Sequence, residues 1–426
     1  LHEDRRAAAE RFADRALPTS ALEEWRYSRI DALDLDRYQP ALTAGLPPPG
    51  SGAEVEDLLG AVGAGGTGRT GMTVIETRDG YLTSQPGTQP GVTVERISGP
   101  EALPVGLGEI AGEPDSFAAL NRAFAPDPLR IRVARGAQAG PVVVVHRADQ
   151  DRAAVFPRVL VEAGELAEVQ VVELVVGRAA ALVVPVTELD VGAGAHLSYL
   201  QVQLLGPAAW QIGLQGSRVA KDGVLVSAAV ALGGDYARLR TDSALTGTGA
   251  EGRLLAMYFS AGHQMHDFRT VQHHRVPKTR SDLLYKGAVA NSARSVYSGL
   301  IRVDKGAKGT HAMQTNRNLV LHEGAHADSV PNLEIEDNDV HCSHASAVGP
   351  IAEDQRFYLE TRGVPSEVAD RLITLGFLDE VLEQLPVPAL AGSLRTMVAR
   401  KLQVADAAEW AGSGRPAAGG RAPGGN

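Results

Sequence analysis

Val191-Gly192-Ala193-Gly194-Ala195, Thr246-Gly247-Thr248-Gly249-Ala250 and Val303-Asp304-Lys305-Gly306-Ala307 repeat one device: an apolar or β-branched residue, a tight glycine turn, then a small residue. Val161-Glu162-Ala163-Gly164 and Leu321-His322-Glu323-Gly324-Ala325 are looser copies. Between such turns run short β-rich segments: Pro141 to His146, Val169 to Val176, Ala181 to Leu189, His196 to Leu205, Val224 to Leu232 and Leu319 to Leu321. No amphipathic helix interrupts them, which argues against a doubly wound sheet, since parallel strands there need helical crossovers. The spacing between turns is irregular. Two architectures fit the pattern: a β-solenoid whose coils stack strand on strand, or an antiparallel sandwich with Greek-key turns.

The composition is compatible with either. Hydrophobic residues make up 44% of 426 residues but aromatics only 5%, so the core is built of small and branched aliphatics, which suit closely stacked strands. The 47 glycines fit many tight turns. A net charge of −10 argues against a general nucleic-acid binder, which needs a basic face for phosphate. No membrane span is expected: the longest uncharged stretch, Leu197 to Ser217, is broken by Gln201, Gln203, Pro207, Gln211 and Gln215. The first residues, LHEDRRAAAERF, carry no apolar signal-peptide core, so a soluble cytoplasmic protein is expected.

Outside the β-rich stretch the periodicity changes. Residues 2–16 read as a short helix, and Ser116 to Phe124 as another with Ser116 as N-cap and Phe117, Leu120 and Phe124 on one face. Pro47-Pro48-Pro49-Gly50 and Gly63 to Gly71 read as flexible breaks. After residue 363, Val368, Ala369, Leu372, Leu375 and Leu382 recur at helical spacing, with Gly376 expected to divide two short helices. Pro386 and Pro388 break the pattern before Leu390, Leu394, Met397 and Val398 line another helix. The Gly/Pro/Ala-rich end from Gly412 is expected to be disordered. The chain thus divides into residues 1–130, an N-terminal α/β region; 131–362, the β core; 363–410, a helical region; and 411–426, a tail.

The residues with most chemistry are Asp339-Val340-His341-Cys342-Ser343-His344. On a strand, Cys342 and His344 share one face and His341 takes the other. A thiolate and an imidazole two residues apart make a pair of metal ligands. The plainer reading is a small buried cysteine beside satisfied histidines. Cys342 is the only cysteine, so neither an intramolecular disulfide nor a four-thiolate site is available. His263 and His266 form a His-x-x-His with Asp267 alongside, and His273 and His274 follow. Their spacing is not that of a zincin helix, and a polar seam on a strand or turn accounts for them. Ten of the 12 histidines lie between His196 and His344, and stacked coils would let some of them form a ladder.

Enzyme signatures are absent. There is no G-x-S-x-G elbow and no P-loop. G-x-G-x-x-G occurs at Gly63 to Gly68 and Gly247 to Gly252, but neither copy opens a helix. Acidic pairs such as Glu334 and Glu336 leave a β-helix polysaccharide-active enzyme as an alternative.

An ordered set of motifs narrows the choice. Tyr285-Lys286-Gly287-Ala288-Val289, Ser295-Val296-Tyr297-Ser298-Gly299-Leu300-Ile301, Gln314-Thr315-Asn316-Arg317-Asn318-Leu319, Pro331-Asn332-Leu333-Glu334-Ile335, the Cys342 motif and Phe357-Tyr358-Leu359-Glu360-Thr361-Arg362-Gly363 together resemble the SufB/SufD family of iron–sulfur cluster assembly proteins. Glu23-Glu24-Trp25-Arg26-Tyr27 and the Val-x-Cys-Ser-His form favour the SufD branch, as does the lack of the upstream cysteine used by SufB. The resemblance implies a mainly β fold: a right-handed parallel β-helix core, an N-terminal α/β region and C-terminal helices that dock SufC, an ABC-type ATPase. It implies a non-catalytic scaffold pairing with a SufB-like paralogue, with self-pairing of the isolated chain to be tested. The iron or Fe–S cluster would be transient and shared with the partner, none being tightly held by the chain alone. His344 matches the SufD histidine implicated in cluster formation at that interface, and Cys342 its neighbouring cysteine. His341 stands where relatives commonly have lysine.

Overall fold

The computed structural model describes residues 2–46, 52–64, 71–84, 89–98 and 106–412. The break expected at Pro47–Gly50, most of the one expected at Gly63 to Gly71, most of the first G-x-G-x-x-G string and the tail beyond Gly412 lie outside the described residues. Gly63, by contrast, belongs to the helix Ala53–Ala64, and residues 411–412, expected in the tail, end the helix Ala391–Gly412. The remainder is a parallel β-solenoid flanked by helices. Strands alternate between two sheets, so each strand's neighbour within a sheet is one full coil away. One sheet ends with Tyr236–Leu245, Met265–His274, Arg294–Val303 and His326–Ile335; the other with Glu251–Ser260, Arg280–Val289, Thr310–Val320 and Val340–Gly349. Pairing is parallel along both sheets except at their first edges. This resolves the two architectures in favour of the solenoid.

The glycine turns explain why coils stack so closely. A Cβ on Gly164 would lie 2.7 Å from the carbonyl of Val133, and one on Gly192 2.7 Å from that of Ala163. Glycine lets each corner rest on the backbone of the coil below. The alanine after each turn fills the corner: Ala195, Ala250 and Ala307 are fully buried. Coil length varies, with 26 residues from Trp210 to its partner Tyr236 and 32 from Arg294 to its partner His326, so no strict sequence period exists.

Both faces of many strands are covered. Val142–Arg147 is buried at every position. Val142 and Val144 face the solenoid interior, whereas Val143 and Val145 meet helices. A continuous valine run is what a strand buried on both sides requires. One of those helices is α2 (Ala53–Ala64), which the glycine-containing sequence does not advertise. It follows α1 (His2–Asp14) and precedes α3 (Ser116–Phe124). The cap of α3 is Asp115, which accepts from the amides of Phe117 and Ala118; Ser116 sits one residue inside and is buried. Phe117 and Leu120 are buried as expected, but Phe124 is 43% exposed.

The C-terminal half adds α4 (Glu353–Glu360), α5 (Ser366–Leu382) and α6 (Ala391–Gly412). Gly376 does not divide α5, which is continuous; an exposed helical glycine costs only about 1 kcal/mol and packing outweighs it. Leu378, Leu382, Leu394, Val398 and Leu402 pack on the outer face of the second sheet. Val368 and Leu372 of the expected stripe instead face solvent. Lys286, reaching out of the sheet, donates to the Phe377 carbonyl at 3.0 Å and to the Glu380 carboxylate of α5.

The Trp25 motif has a structural task. Arg238 lies under the Trp25 ring, 3.8 Å from its centroid, and donates to the Glu24 carbonyl at 2.7 Å. Arg269 holds the Arg26 carbonyl at 2.6 Å. Both arginines converge on the buried Asp267, so the N-terminal segment is clamped to the first sheet through one carboxylate.

Candidate functional site

Each sheet ends on a strand with a neighbour on one side only, His326–Ile335 in one and Val340–Gly349 in the other. Register fixes which way their side chains point. Ala312 pairs with Cys342 and Gln314 with His344. Ala312, Gln314, Asn316 and Asn318 are buried inside the solenoid. Cys342, His344, Ser346 and Val348 therefore continue inward-facing rows, but no further coil covers them. His344, Ser346 and Val348 are exposed and Cys342 half-buried. On the facing strand, Leu333 and Ile335 continue the rows of Ile301 and Val303 and stand 39% and 41% exposed. The end of the solenoid is an uncovered core, rimmed by two unpaired strand edges.

Several contacts hold this end in shape. Ser346 donates to Ser329 at 2.7 Å, joining the two sheets at the lip. Below, Asn318 donates to Asn316 at 2.8 Å and accepts from Tyr258 at 2.7 Å. Asn316 also donates to the Tyr285 carbonyl at 3.2 Å. The alternating Gln314, Asn316 and Asn318 are thus an interior polar row. Gln314 alone in that row has neither amide atom hydrogen-bonded, although it is 1% exposed. Gly299 makes room for it: a Cβ there would fall 2.6 Å from the Gln314 amide nitrogen. A buried unpaired amide in register with an exposed imidazole is what sequence reading missed, since Gln314 is only one more polar residue on a strand.

Cys342 packs beside Ile301, Val303, Ala307 and Ala312. Burial pushes its thiol pKa up, partly offset by the backbone of Ala312, so the sulfur is protonated at neutral pH and would have to lose its proton to act as a metal ligand. Cys342 and His344 are two residues apart on one face, roughly 6–7 Å along the strand. They supply two donors. No group of three or more His, Cys, Asp or Glu side chains suited to a metal ion occurs among the described residues, so a complete coordination sphere here would need ligands beyond them.

The other histidines separate. His263 is exposed in a turn, while His266 is buried and bonded to Ser260 and Gly233, so the His-x-x-His spacing makes no joint site. His273 faces Asp304 at 2.8 Å, and His274 is buried between Thr279 and Ser281. His341 points to the outer face and stacks on His311. Gly247 to Gly252 forms a turn entering the strand Glu251–Ser260. Glu334 is paired with Arg302 at 2.7 Å. A second surface lies on α4 and α5, where Phe357, Tyr358, Val368 and Leu372 are 40–67% exposed. No helix among the described residues is long and apolar enough to cross a membrane.

Residues 145–377 match the family model described as SUF system FeS cluster assembly, SufBD core domain. An iron–sulfur cluster assembly SufBD family protein of Mycobacterium tuberculosis is 37% identical over 201 residues, 45% of this chain and 51% of the relative. The iron–sulfur cluster assembly protein SufD of Escherichia coli is 30% identical over 214 residues, 50% of this chain and 51% of the relative. SufD of Bacillus subtilis is 33% identical over 159 residues, 37% of this chain and 36% of the relative. The chain thus spans about half the length, or less, of these curated relatives.

Proposed function

The chain belongs to the iron–sulfur cluster assembly family that shares the SufBD core domain, and with that as premise we propose that it is a SufD-type scaffold subunit, non-catalytic itself. In this reading it pairs through the open end of its solenoid with a SufB-like chain. The exposed faces of α4 and α5 receive an ATPase of the SufC kind, and the complex works in the cytoplasm. The iron or cluster is cargo, held at the junction and passed on.

One observation carries the reading: Cys342 and His344 occupy inward rows of a terminal coil whose inward-facing residues, Leu333, Ile335 and Val348 among them, are left uncovered. An apolar end with unpaired backbone edges is unfavourable in water and favours a second β-edge laid against it. Such a partner would bury Leu333, Ile335 and Val348 and bring its own donors to the two already present. His344 offers a ring nitrogen, and Cys342 a sulfur once its proton has passed to solvent or a base. The aromatic pair Phe357 and Tyr358 on α4 supports a separate docking face, because exposed aromatics in a cluster mark contact surfaces.

The test is anaerobic reconstitution of this chain with a SufB-like chain and the ATPase, following cluster absorbance. His344→Ala is expected to leave the complex intact and stop cluster build-up. A His344→Ala complex that builds clusters at the wild-type rate removes His344 from the chemistry. A folded chain that binds neither protein overturns the scaffold reading, and sedimentation of the chain alone decides whether it self-pairs.

A further inference from the structure

On the outer face of the last two coils, His311 and His341 are register partners on adjacent parallel strands. Their rings stack with centroids 4.9 Å apart and 26° between planes, and both side chains are exposed. We propose that this pair is a binding site for a late first-row divalent transition metal, separate from the inward-facing Cys342 and His344.

Geometry carries the proposal. In-register parallel strands lie 4.7–4.9 Å apart and send their side chains out side by side. Two imidazole nitrogens at about 2.0–2.1 Å from one metal ion are themselves roughly 3 Å apart, so stacked rings on neighbouring strands need only turn about their outer side-chain bonds to converge. Strands within a continuous ladder hold the two attachment points fixed, which removes most of the cost of assembling a chelate.

The surroundings suit a cation with open positions. The pair borders a groove of about 380 Å³ lined also by Arg280, Asp282, Met313, Ser343 and, between His341 and Ser343, by Cys342. Arg280 stands in register with His311 and opposes a positive ion. Asp282, two residues along the same strand, brings a carboxylate into the groove that offsets Arg280. The C-terminal helices stop short of this face: α5 contacts the strands Glu251–Ser260 and Arg280–Val289, while Met313 on the next strand is 56% exposed. Two imidazole ligands select zinc, nickel, copper or ferrous iron over magnesium or calcium, which take oxygen ligands. The remaining positions belong to water.

The experiment is calorimetric titration of the tag-free full chain with Ni²⁺ at neutral pH, in the wild type and in His311→Ala, His341→Ala and the double variant Cys342→Ser/His344→Ala. All these side chains are exposed or half-buried, and circular dichroism checks that each variant is folded. Expected is one Ni²⁺ per wild-type chain, affinity lower by at least about tenfold in either outer-face variant, and a smaller loss in the inner-face double variant than in either of them. Unchanged affinity in His311→Ala and His341→Ala, no binding by the wild type, or loss confined to the inner-face variant would each overturn the proposal. The scaffold reading is tested separately, by partner binding and cluster build-up with His344→Ala, so its failure and the failure of this proposal are distinguishable.

Discussion

Lys401 donates to the carbonyl of Phe259, and its ammonium lies 5.3 Å from the centroid of that residue's ring. The carbonyl of Leu232 accepts from it as well, so α6 is fastened to two coils at once. Burial drives the amine pKa down from 10.5 to about 7. Between those values the unfolded chain binds more protons than the native one, so stability rises with pH across that window. The slope is up to about 1.4 kcal/mol per pH unit. Thermal melts of Lys401→Met should lack the part of the rise from pH 7 to 10 that the wild type owes to this amine. Parallel slopes in the two proteins would refute it.

On the acid side the burdened groups are His266 and His274. Burial, with Lys401 nearby, pushes His266 down to about 3, while burial and then His273 push His274 to about 4. His266 donates from Nε2 to the Gly233 carbonyl at 2.9 Å, which leaves Nδ1 to accept from Ser260. Both histidines stay neutral when folded but take a proton near 6.5 when unfolded, so stability falls as pH drops from 6.5 towards 4. Urea midpoints at pH 6.5, 5.5 and 4.5 should fall less steeply in His274→Gln than in the wild type. Equal steepness would show that His274 is not protonated on unfolding.

The fold was legible where a local rule met a global one. Ala195 and Ala250 follow glycine turns because the corner of each coil has room for one methyl group, and that repeats in sequence. Helix α2 was not legible, because Gly60 and Gly63 weaken its local signal and its stability comes from Val55, Leu58 and Val62 packing on distant strands. Continuity through Gly376 has the same origin. The faces of Cys342 and His344 follow from strand alternation alone. What stacks above what does not: coils differ in length, so the meeting of His311 with His341, or Gln314 with His344, depends on turn geometry far from either residue.

Asp267 is fully buried and accepts from Arg238 at 2.8 Å, Arg269 at 2.6 Å and Tyr236 at 2.8 Å. Burial works to raise its pKa, and the two guanidinium groups hold it below the usual carboxylate value. Asp267→Ala would leave two desolvated arginines without their shared anion, at a cost of about 3–5 kcal/mol. The loss should also release the clamp on Trp25, so that limited proteolysis cuts within the first 40 residues before the solenoid yields. Cleavage at the wild-type rate would mean that the segment is held independently of Asp267.

Leu333 and Val348 are 39% and 44% exposed, yet they lie in rows that are core everywhere below them. A glutamate at such a place meets water in the isolated chain, so Leu333→Glu and Val348→Glu should each shift its stability by no more than about 0.5 kcal/mol. Against a partner the same carboxylate would be buried without a counter-charge, at a cost of about 3 kcal/mol or more. That corresponds to over a hundredfold in affinity. Equilibrium sedimentation of each variant with a SufB-like chain, beside thermal melts of the variant alone, separates the two effects. Wild-type association by both folded variants would place the interface elsewhere, because no strand edge can close over this end without covering these two side chains.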